Sequence, residues 1–155
     1  MKTTRRSPSL RHQRGVYAIE FAIVFMIFFS LLYAIICYGM LFAFRLGLQN
    51  AAEDGARAAL QYQTSLAARK TRAVDVATAQ SDWMPAIVKP VVSAQICITE
   101  SGNCAPTVCG PAWNQRCQVE VLVQSNGVGS LLPPLPSFAV PNQIAGKASM
   151  LLNPR

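Results

Sequence analysis

An uncharged segment of 24 residues, from Phe21 to Phe44, constrains this chain more than any other feature. A helix rises about 1.5 Å per residue, so the segment would measure roughly 36 Å, enough to cross a hydrocarbon core of about 30 Å with some tilt. A removable secretory signal has an apolar core of about 7–15 residues and ends at small residues, whereas the bulky Phe42 and Phe44 close this segment. The sequence therefore predicts a single retained membrane span, and argues against collagen, a disordered tail or a plain soluble enzyme.

The positive charge of the chain is concentrated before this segment. The formal net charge is +7, and the first 15 residues contain no acid and five bases, which are Lys2, Arg5, Arg6, Arg11 and Arg14. Only Arg45 and Arg57 lie within about 18 residues of the other end, and the more basic flank of a span stays in the cytoplasm. We therefore expect a cytoplasmic N-terminus and an exported C-terminal part. The tail has no aromatic residue to stack on bases, so nucleic-acid binding is not expected.

The helix is predicted to continue beyond the membrane. Residues 45–63 are rich in Ala, Leu, Gln, Glu and Arg, which favour helix, and no proline occurs between Pro8 and Pro85. Residues 64–82 either extend this helix or form a second one after a break near residues 63–65. The expected divisions are a basic leader (1–15), a transmembrane helix and stalk (16–63), a second helical segment and linker (64–90), and a small exported β domain (91–155).

Small residues recur at every fourth position along the predicted helix. They are Gly39, Ala43, Gly47, Ala51, Gly55 and Ala59. Such spacing lets helix backbones approach closely. Alanine is also simply a good helix former, but glycine costs about 1 kcal/mol relative to alanine inside a helix. We therefore interpret this stripe as a helix-packing surface.

The last third of the chain has the pattern of β-strands. Residues 91–99 and 117–124 alternate apolar and polar side chains and are rich in Val and Ile, and residues 144–152 are a candidate third strand. A turn-rich segment joins the first two, which suggests an antiparallel hairpin with a long tip. The predicted fold class is α+β: a long N-terminal helix followed by a small antiparallel β domain of the kind found in pilins.

Four of the five cysteines fall within 21 residues of the exported part: Cys97, Cys104, Cys109 and Cys117. Their spacing does not fit the close pairs of a zinc site, so no metal is expected, and two structural disulfides are predicted. Three connectivities are possible. If residues 91–99 pair with residues 117–124, Cys97 and Cys117 meet at the mouth of the hairpin. We therefore expect the nested pattern Cys97–Cys117 and Cys104–Cys109.

The junction between the basic tail and the span has one glycine and one carboxylate. Gly15 ends the tail, and Glu20 and Phe21 follow at the start of the apolar helix. A carboxylate at the start of a span costs less than one at the bilayer centre, but still about 1–3 kcal/mol unless it is satisfied. This arrangement resembles the leader of type IV prepilins, which a membrane peptidase cleaves after the glycine. The resemblance implies cleavage between Gly15 and Val16, with Gly15 free to adopt an extended conformation there.

Two motifs narrow the resemblance to one family. The Glu20-Phe21 pair after the glycine, and the later stretch LQNAAEDGARAA that begins at Leu48, closely resemble the TadE-like family of minor pilin-like proteins in the tight-adherence (Flp, type IVb) pilus system. This likeness implies a minor pilin or pseudopilin in the bacterial inner membrane, with a periplasmic C-terminal domain, that takes part in pilus assembly for surface adherence. It also implies the partners: a prepilin peptidase, the major Flp-type pilin, a TadF-like pseudopilin and an inner-membrane assembly platform.

The resemblance also implies a mechanism, and the residues leave one rival function open. Cleavage would create an α-amine on Val16, which Glu20 of a neighbouring helix could neutralise to set the register between subunits. The rival is a membrane-tethered binding module in which the helix is only an anchor and Trp113, at the loop tip, contacts a target. An exported hydrolase is not expected, because the exported part has no histidine and its acids form no motif. We expect neither an enzyme nor a cofactor.

Overall fold

The computed structural model describes residues 13–104, 109–132 and 140–152, with side chains from residue 15 onward. The predicted leader lies outside this range up to residue 12. The described elements are α1 (Gln13–Ala58), α2 (Leu66–Ser81), β1 (Val91–Ile98), β2 (Cys117–Asn126) and β3 (Gln143–Leu151), with short 3-10 turns between them. The fold is α+β, as predicted.

The chain divides into two units, residues 1–39 and 40–155. The described part of the first unit is helical, and nearly all of its apolar side chains are exposed. Within α1 lies a stretch long and apolar enough to cross a membrane. An exposed apolar helix of this kind is consistent with a single-pass membrane anchor.

The helical region has the break that the sequence allowed as one of two alternatives. α1 ends at Ala58 and α2 begins at Leu66. Ser65 caps α2, because its hydroxyl accepts a hydrogen bond from the amide of Ala68 at 3.1 Å. Arg69 of α2 donates to the carbonyl oxygen of Ala59 at 3.4 Å, which gives one of the open carbonyls after α1 a partner.

The three predicted strands are confirmed and form one antiparallel sheet in the order β1-β2-β3. Alternation along the central strand assigns its faces, because successive side chains point to opposite sides. Cys117, Val119, Val121, Val123 and Ser125 are all buried, while the residues between them are partly exposed. This inner face packs with α2 and with the part of α1 after residue 47 to form the core of the second unit.

Candidate assembly helix and its docked domain

The predicted cleavage site lies inside a helix. α1 begins at Gln13, so Gly15 and Val16 are helical, not extended. A glycine inside a helix weakens it by about 1 kcal/mol relative to alanine. The extended conformation expected at Gly15 would therefore require this part of α1 to open.

The two residues assigned to assembly, Glu20 and Phe21, are both exposed on α1. Within the part of the chain that the structure describes, Glu20 has no ion-pair partner. An exposed carboxylate on an otherwise apolar helix surface is available to a charge from another molecule. Nothing in the described residues competes for that pairing.

A row of aromatic rings that the sequence analysis missed begins at Phe21. Phe21, Phe25, Phe29 and Tyr33 follow each other at intervals of four residues, and successive ring centroids are 5.9, 6.0 and 6.5 Å apart. Residues four apart lie on the same face of a helix, so the spacing alone could have revealed the row. The rings form a continuous aromatic row along one face of this part of α1.

The small-residue stripe has different surroundings along its length. Around Gly39 there is nothing within 4 Å of the place where a Cβ would lie. At Gly55 a Cβ would lie 2.8 Å from the carbonyl oxygen of Ala73 and 2.8 Å from the Cβ of Ala77, so α2 packs directly against the backbone of α1 there. Ala51 and Ala59 are buried in the same core. The C-terminal part of the stripe thus packs the chain's own domain.

The stretch from Leu48 to Ala59 docks the sheet on α1. The side chain of Leu48 is fully buried, and the backbone of Leu48 and Gln49 lies so close to Gly146 of β3 that no Cβ would fit at residue 146. Gln49 donates from Nε2 to the carbonyl oxygen of Lys147 at 3.0 Å, and its Oε1 accepts from the amide of Lys147 at 3.1 Å. The amide side chain thus pairs with this edge strand as a neighbouring strand would.

The predicted nested disulfide pattern is wrong. The bridges are Cys97–Cys104 and Cys109–Cys117. β1 and β2 do form a hairpin, but its register places Cys117 opposite Ile98, and Cys97 opposite Gln118. This offset of one residue puts Cys97 and Cys117 on opposite faces of the sheet, where they cannot bond to each other.

Trp113 lies within the loop that the Cys109–Cys117 bridge closes. Its side chain is 66% exposed, and the Arg116 guanidinium lies over its ring, 5.2 Å from the centroid. A cation over an indole face is a favourable contact.

The remaining cysteine, Cys37, is a free thiol and is buried. Among the described residues no group of three or more His, Cys, Asp or Glu side chains could hold a metal ion.

A comparison with protein-family models bears on the helix. Residues 15–57 match the model of the TadE-like protein family. The match confirms the resemblance found in the sequence, covers under a third of the chain, and ends one residue before α1 does. We call these residues the TadE-like segment. The family connects it with Tad pilus systems.

The comparisons with curated proteins and with solved structures found no significant match. The family match covers most of α1, including the residues of α1 that contact the sheet. The sheet itself, the two bridges and Trp113 lie outside the TadE-like segment.

Proposed function

We propose that this chain is a minor pilin or pseudopilin that a prepilin peptidase cleaves between Gly15 and Val16, and that it then takes part in assembling a Tad-type pilus. The observation that carries the proposal is the position of Glu20: it is exposed, without an ion-pair partner among the described residues, and lies within the TadE-like segment. Its partners would be the peptidase, the major Flp-type pilin, a TadF-like subunit and the inner-membrane platform.

The proposed chemistry is a charge pair made by processing. Cleavage leaves an ammonium group on Val16 at the membrane boundary, and the Glu20 carboxylate of an adjacent helix neutralises it. Both charges are costly in an apolar environment when unpaired, and a close pair removes much of that cost. The pair therefore favours one lengthwise register between neighbouring helices.

The proposed topology places the N-terminal leader, residues 1–15, in the cytoplasm and the β domain in the periplasm. The excess of basic residues before the span favours this orientation. Two disulfides in the β domain support it as well, because such bridges persist in oxidising compartments.

Processing is tested by identifying the N-terminus of the native protein by mass spectrometry in cells with and without the peptidase. A terminus at Val16 that needs the peptidase is expected. The variant Gly15→Val should retain its leader, whereas Gly39→Val, a glycine of the same helix with open space around it, should still be cleaved. An intact leader in the wild-type protein of piliated cells would contradict the proposal.

The charge pair is tested by Glu20→Gln, which keeps the shape of the side chain and removes its charge. Pili counted by electron microscopy should fall sharply, while the amount of processed protein stays unchanged. Glu100→Gln, at an exposed turn, is the matched control and should leave pili unchanged. Normal piliation of the Glu20→Gln strain would refute the role of this carboxylate.

A second candidate function rests on Trp113. Because its ring is largely exposed at the tip loop, the β domain could act as a tethered binding module. Replacing residues 1–39 by an unrelated membrane helix keeps the residues of α1 that belong to the core and discriminates between the two functions. Adherence that survives the exchange would favour the tethered module, and its loss would favour the assembly role.

A further inference from the structure

The connection between α2 and β1, residues 82–90, contains both buried and exposed large apolar side chains. Met84 and Val88 are buried in the core, whereas Trp83 is 52% exposed and Ile87 is 73% exposed. Large apolar side chains that are exposed together in one short segment mark an interaction surface more often than isolated ones do. We call residues 82–90 the α2–β1 loop.

This loop is held firmly on the domain. The hydroxyl of Ser125, itself buried in β2, donates to the carbonyl oxygen of Val88 at 2.5 Å. The amide of Val88 donates to the carbonyl oxygen of Pro85 at 3.0 Å, and the amide of Met84 to that of Ser81 at 3.2 Å. The exposure of Trp83 and Ile87 therefore follows from a fixed backbone.

Trp83 packs against the part of α1 that lies at the end of the uncharged segment. Its ring stacks on that of Phe44, with centroids 5.8 Å apart and planes 2° from parallel, and a Cβ at Gly47 would collide with it. Phe44 is the last residue of the uncharged segment, and Arg45 follows it. Trp83 thus lies at the level where the span leaves the hydrocarbon, which is where tryptophan is enriched in membrane proteins.

The charged side chains near the loop are those expected at the boundary between membrane and water. Arg45 is exposed, and Lys89 forms an exposed ion pair with Asp82 at 3.8 Å. Exposed ion pairs of this kind contribute little and exchange easily, so the Lys89 ammonium can also reach lipid phosphates. Basic side chains beside an interfacial tryptophan are typical of the headgroup region.

We infer that the α2–β1 loop is a second membrane contact, in which Trp83 and Ile87 enter the boundary between headgroups and acyl chains of the leaflet from which α1 emerges. The inference rests on the proposed membrane span of α1, but not on peptidase processing or pilus assembly. A lipid surface is the occupant because the loop adjoins the end of the span itself.

The test uses the full-length chain with Trp113→Phe, so that Trp83 is the only tryptophan. The protein is reconstituted in vesicles of phosphatidylethanolamine and phosphatidylglycerol that contain lipids brominated near the headgroup or deep in the acyl chains. Trp83 emission should lie at short wavelength, lose most of its intensity with the shallow bromolipid, lose less with the deep one, and resist aqueous iodide. Trp83→Phe, which leaves Trp113, is the matched control and should respond to iodide alone.

Flotation of the vesicles after an alkaline carbonate wash tests the membrane span of α1 separately from the lipid contact of the α2–β1 loop. Protein that does not float refutes the membrane span and the inference with it. Protein that floats while iodide quenches Trp83 and bromolipids do not would overturn the inference and leave the span intact. Floating protein with a Trp83 that neither quencher reaches would assign the loop to a protein contact, which also overturns the inference. Ile87→Asp in the same background should reduce bromolipid quenching and increase iodide quenching.

Discussion

Replacing Gly146 by alanine tests how closely the sheet is docked on α1. A Cβ at this position would overlap the carbonyl carbon and oxygen of Leu48 and lie 2.5 Å from the amide nitrogen of Gln49. These are backbone atoms of a helix, so no rotamer change can relieve the overlap. Either the helix moves away from β3 or the strand bends, and the hydrogen bonds between Gln49 and Lys147 are strained in both cases.

Two contributions of opposite sign determine how Gly146→Ala changes the free energy of unfolding. Gly146 has no positive φ angle, so alanine fits its backbone and should gain about 0.4–1 kcal/mol from the unfolded state. Overpacking of a tight contact costs about 1–3 kcal/mol. We expect the second term to dominate and the free energy of unfolding to fall by about 1–2 kcal/mol.

Urea unfolding of the full-length protein in detergent micelles, followed by tryptophan emission, measures this difference. With a slope of about 2 kcal/mol per molar urea, typical of a small protein, the midpoint should fall by roughly 0.5–1 M. The matched control is Gly129→Ala, where the new Cβ would make an ordinary contact 3.5 Å from Val140, and its midpoint should stay level or rise slightly. A Gly146→Ala protein as stable as the Gly129→Ala protein would refute the close docking.

Two further predictions concern the domain. Gln49→Ala removes both hydrogen bonds to the Lys147 backbone and should lower the free energy of unfolding by about 1–3 kcal/mol in the same urea assay. The control is Asn50→Ala at the neighbouring, exposed position, which should change the free energy of unfolding by less than about 0.5 kcal/mol. Equal effects of the two substitutions would contradict the pairing role of Gln49. Cleavage of the unreduced protein after Arg116, Glu100 and Glu120 should leave peptides 101–116, 117–120 and the one that ends at Glu100 linked as one species of three. The nested pattern would instead release peptide 101–116 alone with an internal bridge.

The elements of this fold were largely predictable because their signals are local. Alternating Val and Ile residues located the three strands to within two residues at each end. Residues 16–82 were correctly predicted to be mainly helical, and in the structure α1 and α2 account for most of them. The composition could not show whether the helix continues after residue 63. Ser65 acts as an N-cap only if the helix before it has ended, and the sequence near Ser65 is compatible with both possibilities.

The docking contacts were harder to predict because they depend on distant parts of the chain. The LQNAA stretch was recognised as a family motif, but nothing near Gln49 in the sequence indicates that its amide pairs with Lys147, 98 residues away. Gly146 looked like an ordinary strand glycine until the backbone of α1 was placed against it. The disulfide prediction failed for a related reason: a hairpin was expected correctly, but its register was not known to within one residue.

The two disulfide bridges both lie at the end of the hairpin where β1 ends and β2 begins. Each closes only a short loop, with sequence separations of 7 and 8, and neither joins the two long strands of the hairpin to each other along their length. Cys117 itself lies in the core, but the ladder between β1 and β2 extends beyond both bridges as far as Val91 and Gln124. A thiol reductant should therefore loosen the turns beyond Ile98 and before Cys117 while the sheet and its seat on the helix persist, so that the distal end of the domain responds to redox conditions and its base does not.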